Sequence, residues 1–201
     1  MQKVIFITRH GQSQNNVRNI IGGDCDITNS GKEYSRLLYG YFEEKDLLQN
    51  IKIYTSQLKR TQQTAKHFEN KNKKKFSFLN EINGGVFENK TYQYVKENFK
   101  DEYNKRNLDK FNYRYPQGES YFDLQKRVML IFNELSKNSD SINLIVCHNA
   151  VLRVIYGTLL GISNERIPHI EIPLHSLFKF ELINGNYKVT VIDFNSKIRA
   201  S

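Results

Sequence analysis

Arg9 and His10 stand side by side where the apolar run "VIFI" (4–7) ends, and His148 with Asn149 closes a second run, "INLIVC" (142–147). A strand apolar at consecutive positions is covered on both faces, and ligands in such α/β sheets gather at the carboxyl ends of the strands. "IKIYTS" (51–56) is followed by Arg60 in "QLKRTQQTA", and the aromatic stretch "FSFLNEI" (76–82) carries Glu81. Two imidazoles, two guanidiniums and a carboxylate would then share one sheet edge, an unusual load for a structural rim. The set suits transfer of a phosphoryl group to nitrogen. Guanidiniums bind phosphate oxygens through forked, charge-assisted hydrogen bonds. A neutral imidazole can attack phosphorus, and adjacent cations hold it unprotonated. A second imidazole can stabilise charge on the equatorial oxygens, and a carboxyl group can protonate the leaving alkoxide and then deprotonate water.

Positioning these groups requires strands that alternate with helices. The pattern predicts strands at 3–8, 51–56, 76–82 and 142–147. Helices are expected over "TNSGKEYSRLLYGYFEEKDLLQ", capped at Thr28 or Ser30, and over 57–70, 118–138 and 149–161. "HSLFKFELI" and "YKVTVIDF", joined by "NGN", form a terminal hairpin. Residues 91–112 read as irregular helices within a flanking or lid insertion over 91–118. The expectation is a single 1–201 domain, a three-layer α/β/α fold whose sheet is mostly parallel with an antiparallel edge.

Composition narrows the class. The 201 residues are 39% hydrophobic and 25% charged, ordinary for a globular domain. No apolar run approaches the roughly 20 residues of a membrane span, and no signal-peptide pattern opens the chain, so a cytoplasmic protein is expected. Cys25 and Cys147 form neither a disulfide framework nor a metal pattern. The net charge of +9 is no nucleic-acid footprint, because its densest block, "NKNKKK" (70–75), has no interleaved aromatic residue and reads as a solvated loop. The expected partner is a small phosphorylated molecule, without nucleic acid, membrane, metal or cofactor. A homodimer stays open.

"TRHGQS", "TSQLKRTQQTA", "LNEINGG" and "VCHNAVLR", in this order, resemble the histidine phosphatase superfamily and its phosphoglycerate mutase-like fold. "IGGD", "LNEINGGVFENKTY", "KRNLDKFNYRYPQGESY" and "IPLHSLFKF" are similar to one branch, the fructose-2,6-bisphosphatase domain of 6-phosphofructo-2-kinase/fructose-2,6-bisphosphatase, from about Val4 to about Phe180. No GxxxxGK[ST] loop occurs, so the kinase of that family is not expected in these residues. The resemblance implies that His10 becomes phosphohistidine and that Glu81 is acid, then base. It implies that Arg9, Arg60, His148 and Asn16 grip the transferred group, and that Gly22 lets backbone approach the sugar. A second anion site maps onto Tyr92, Arg106, Lys110, Tyr121 and Arg153. Asn149 stands where that branch usually has Gln.

Plainer readings stand beside these. Glu81 could pair at a strand end, and Arg60 could be an exposed helix residue. Tyr92, Arg106 and Lys110 could lie on a solvated helix face, Tyr121 in the helix core, with Arg153 snorkelling along it. His67 and His169 read as surface residues, His175 as strand-side packing. The function implied is hydrolysis of a sugar bisphosphate, foremost the 2-phosphate of fructose 2,6-bisphosphate. A cofactor-dependent phosphoglycerate mutase, a broad-specificity phosphatase and a non-catalytic metabolite-binding regulator are the alternatives.

Overall fold

Ile5, Phe6 and Ile7 are at most 2% exposed, which neighbouring side chains can achieve only if helices cover both faces of their strand. The computed structural model describes residues 4–68, 72–137 and 142–199. Its strands are β1 (Val4–Arg9), β2 (Ile51–Thr55), β3 (Asn72–Lys75), β4 (Ile142–Cys147), β5 (Ser176–Ile183) and β6 (Asn186–Asp193). They form one sheet of order β3-β2-β4-β1-β5-β6. The first four run parallel, and the β5–β6 hairpin adds the antiparallel edge beside β1. The helices are α1 (Gln14–Val17), α2 (Asn29–Glu44), α3 (Lys59–Thr64), α4 (Tyr92–Asn98), α5 (Lys100–Leu108), α6 (Tyr121–Val128), α7 (Leu130–Ser136), α8 (Asn149–Leu159) and α9 (Asn195–Arg199).

Alternate strand residues serve alternate faces. Ile5, Ile7, Tyr54 and Ile145 pack with Leu124, Ile131, Val151 and Ile155 of α6, α7 and α8. Phe6, Ile53, Leu144 and Val146 pack with Tyr34, Leu38 and Phe42 of α2. The result is the expected α/β/α layering. Thr28 caps α2 by accepting the N–H of Gly31, and Ser120 caps α6 in a reciprocal box with Asp123.

Three elements differ from expectation. The strand expected at 76–82 is a short 3-10 turn, Ser77–Leu79; the edge strand comes earlier, at Asn72–Lys75, inside the segment read as a loop. Phe76 and Phe78 do not alternate across a sheet but stack at 4.6 Å, while Leu79 enters the core. An edge strand tolerates lysines, which keep its open side from pairing with other chains. Residues 69–71 and 138–141 lie outside the described residues. Helix α3 stops at Thr64, well short of the expected span, and the helix expected over 118–138 is two helices meeting at Met129. Residues 91–112 hold α4 and α5, separated by Phe99.

Register decides what meets at the sheet edge. Arg9 lies opposite Cys147, and Val146 opposite Thr55, so His10, His148 and Ser56 leave their strands together. Because β5 enters antiparallel at the same edge, with Leu177 opposite Thr8, His175 arrives there too.

Candidate active site

The main chain of His10 prolongs the ladder, donating its N–H to Cys147 O at 2.9 Å. The chain then turns at Gly11, whose N–H donates to Thr64 Oγ1 at 2.9 Å. A Cβ on Gly11 would lie 2.7 Å from Gly31 O, so only glycine lets this loop touch the first turn of α2. His10 is 3% exposed, and its Nδ1 donates to Gly11 O at 2.8 Å. A carbonyl can only accept, so the neutral ring carries its proton on Nδ1 and keeps the Nε2 lone pair. Burial first, then the charges of Arg9 and Arg60, hold the imidazole well below its usual range.

His148 lies with its ring centroid 5.3 Å from that of His10. Its Nε2 is 2.8 Å from Ser56 Oγ, itself 2.9 Å from Thr61 Oγ1, which donates to Leu58 O. Thr61 has spent its one proton there. Ser56 therefore donates to Thr61, and His148 Nε2 donates to Ser56. This leaves Nδ1 of His148 buried and without a partner. Burial, followed by the Arg60 charge, holds this imidazole too well below its usual range.

Arg60 is 4% exposed, so its reading as an open helix residue fails; Nη1 donates to Gly23 O at 2.6 Å. Arg9 keeps a buried Nε without a partner. Glu81 turns Oε1 to the N–H groups of Ile82, at 3.0 Å, and Ala150, at 3.2 Å, the latter in the first turn of α8. Asn16 uses Oδ1 to accept from Ser13, leaving its amide N–H groups to address a ligand. Gly22 has φ +61°, and a Cβ there would lie 1.8 Å from the carboxylate of Glu88, which accepts from the N–H groups of Gly23 and Gly84.

Arg9, His10, Asn16, Gly22, Arg60, Glu81, Tyr92, Arg106, Tyr121, Asn149 and Arg153 line one cavity of about 110 Å³. Two of the sequence candidates lie outside this lining. His148 sits behind it, against Ser56. Lys110 stands at the flank, its Nζ on Pro168 O at 2.9 Å; burial, then Arg106 and Arg153, bring it down to about 8. Within the cavity Arg106 donates to Tyr115 Oη at 2.8 Å and lies over the Tyr92 and Tyr115 rings, each 5.9 Å away. Arg153 donates to Tyr121 Oη and Ile170 O. Asn149 Oδ1 is buried without a partner. Ser13, Asn15 and Tyr115 also line the cavity and went unread in the sequence, as did Ser56 behind it. The polar end of "IKIYTS" was the one available signal for Ser56. His175 packs its ring against Tyr34, tilted by 35°, and also accepts the N–H of Gln12 at 3.1 Å. His67 and His169 are exposed.

Residues 5–195 match the family model of the histidine phosphatase superfamily, branch 1. The chain belongs to this superfamily. It is 40% identical over 179 residues to a Schizosaccharomyces pombe protein named "Probable fructose-2,6-bisphosphatase", covering 89% of this chain and 43% of that one. It is 36% identical over 191 residues to human 6-phosphofructo-2-kinase/fructose-2,6-bisphosphatase 1, covering 95% of this chain and 40% of that one. The chain thus spans about two fifths of the length of these relatives, both of whose names include a fructose-2,6-bisphosphatase, a phosphoric monoester hydrolase. Its fold is shared with the α-ribazole phosphatase of Shigella flexneri, at a TM-score of 0.83 and 21% identity over 94% of this chain and 96% of that one. Among the described residues no helix is long and apolar enough to cross a membrane.

Proposed function

We propose that this histidine phosphatase domain hydrolyses a sugar bisphosphate through a phosphohistidine at His10, and that its substrate is fructose 2,6-bisphosphate, losing the 2-phosphate. The carrying observation is that a buried, neutral His10, with Nδ1 committed to Gly11, shares one cavity with four arginines. The charges of Arg9 and Arg60 act on the imidazole; Arg106, over the Tyr92 ring, and Arg153, on Tyr121 Oη, are the further cations that would hold a second phosphate. One phosphate is attacked while the other is held.

In the first step Nε2 of His10 displaces the sugar oxygen from phosphorus, forming the P–N bond as the P–O bond breaks. Glu81 gives its proton to the departing oxygen. Arg9 and Arg60 neutralise the transferred group. His148 behind it is neutral with its one N–H on Ser56, and donates to the group only when that proton moves to Nδ1 and Ser56 turns its own to Nε2. In the second step Glu81 takes a proton from water, the oxygen of which attacks phosphorus. Inorganic phosphate leaves, and His10 returns to its neutral form. The names of the relatives favour the fructose ester over other bisphosphates.

Incubation with fructose 2,6-bisphosphate labelled in the 2-phosphate, quenched in alkali, should leave an alkali-stable, acid-labile label on the protein that His10→Ala lacks. A panel including 3-phosphoglycerate reads specificity. Isomerisation of phosphoglycerate faster than any phosphate release would make the chain a mutase. Absence of label with every ester would make it a binding protein.

A further inference from the structure

Glu81 rides on a loop with open space on two sides. One is the substrate cavity; the other is a groove of about 530 Å³ lined by Ser77, Asn80, Asn83, Glu119 and Arg127 as well as Glu81. No regular element spans residues 80–84: the 3-10 turn ends at Leu79 and the next begins at Gly85. Asn80 Oδ1 accepts the N–H of Gln57 and Asn83 O that of Glu119, each at 2.9 Å, and most of the remaining main chain is held by Arg127, in the last turn of α6. Its Nη1 donates to Phe78 O and Asn80 O, each at 2.8 Å, and its Nη2 to Glu81 O at 3.0 Å. Nε and Nη2 reach the two carboxylate oxygens of Glu119, each at 2.7 Å. Every N–H of the guanidinium is thereby engaged, in the planar fork that lysine cannot reproduce. Glu119 in turn accepts the N–H of Asn83 at 2.9 Å. Main chain from Phe78 to Asn83 is tied to one guanidinium–carboxylate pair.

We infer that Arg127, braced by Glu119, is a positioning residue that aims the Glu81 carboxyl group at the leaving oxygen. The inference rests on Glu81 being the acid of the proposed reaction. Arg127 does not line the substrate cavity. Its charge also reaches His148, and Arg127→Lys keeps that charge while removing the fork that grips the loop. A displacement of ~1 Å at a reacting group can cost about 100-fold, and the remaining anchor of this carboxylate outside its own loop is the Ala150 N–H. A purely structural ion pair would slow all substrates alike. A device that aims an acid should matter only where the leaving group needs a proton.

The test compares Arg127→Lys, Glu119→Gln and the reference Glu81→Gln in the whole chain, measuring single-turnover phosphoenzyme formation. p-Nitrophenyl phosphate, whose phenolate leaves without help, is set against fructose 2,6-bisphosphate, whose alkoxide does not. Arg127→Lys and Glu119→Gln should lose about 10-fold or more on the sugar ester and less than about 3-fold on the aryl ester, with the substrate KM unchanged. Equal losses on both esters, or none on either, would overturn the inference while Glu81→Gln still discriminates between them. If Glu81→Gln treats the two alike, the acid assignment itself fails. Should Arg127→Lys not fold, Glu119→Gln delivers the same comparison.

Discussion

The buried imidazoles make acid pH the sensitive direction for both activity and stability. His10 and His148 titrate well below the ordinary 6.5 in the folded chain, so the unfolded chain binds more protons in the interval between the two values. Their stabilisation is complete above pH 6.5 and is lost as pH falls towards the folded values. Urea midpoints should drop between pH 7 and pH 5, and His148→Gln should shrink that drop. The kcat/KM profile should hold its plateau to below pH 6.5, because His10 stays neutral there. An acid limb at or above 6.5 that exceeds the substrate phosphate's own ionisation would count against a buried, neutral His10 as the proposed nucleophile. If the proposed second anion site reaches as far as Lys110 at the cavity's flank, Lys110 sets the opposite limb: its charge is present below about pH 8 and absent above. KM for a bisphosphate should rise as pH passes that value, and Lys110→Met should abolish the rise while raising KM at pH 7.

At the scale of elements, the site is built from close approaches between short loops and helix starts. Gly31, in the first turn of α2, leaves room for Gln12 O only 2.4 Å from where its Cβ would be. Gly31→Ala must push α2 away from the loop that carries His10, at a cost of about 1–3 kcal/mol in chemical denaturation and with a lower kcat. Gly40 lies on the same helix with open space around it, and Gly40→Ala should lose neither. Legibility followed the same division. Strands β1, β2 and β4 and helix α8 declared themselves through runs of apolar side chains buried on both sides or along one face. The 76–82 stretch misled because Phe76, Phe78 and Leu79 mimic a strand pattern while packing from a 3-10 turn. β3, with Lys73, Lys74 and Lys75, has no apolar pattern to read, since an edge strand is held by ladder bonds to β2. Arg127 was equally silent, because a guanidinium that clamps main-chain carbonyls has the same local signature as one in water.

Across the whole molecule, the net charge of +9 meets a cavity whose charged lining is Arg9, Arg60, Arg106, Arg153 and Glu81. An anion approaching it is steered, so kcat/KM for a bisphosphate should fall several-fold between about 10 mM and 150 mM salt, with kcat unaffected. An uncharged competitor of the sugar should show no such dependence. The chain by itself determined the chemistry on offer and the layered α/β frame, because residue types and apolar periodicity are local properties of a sequence. Only the folded sheet decided that Arg9 and Cys147 stand in register, that Arg60 is buried rather than solvated, that Lys110 leans on Pro168, and that a helix far along the chain grips the loop of Glu81. Those are relations between distant segments, set by strand pairing and packing, and no stretch of neighbouring residues carries them.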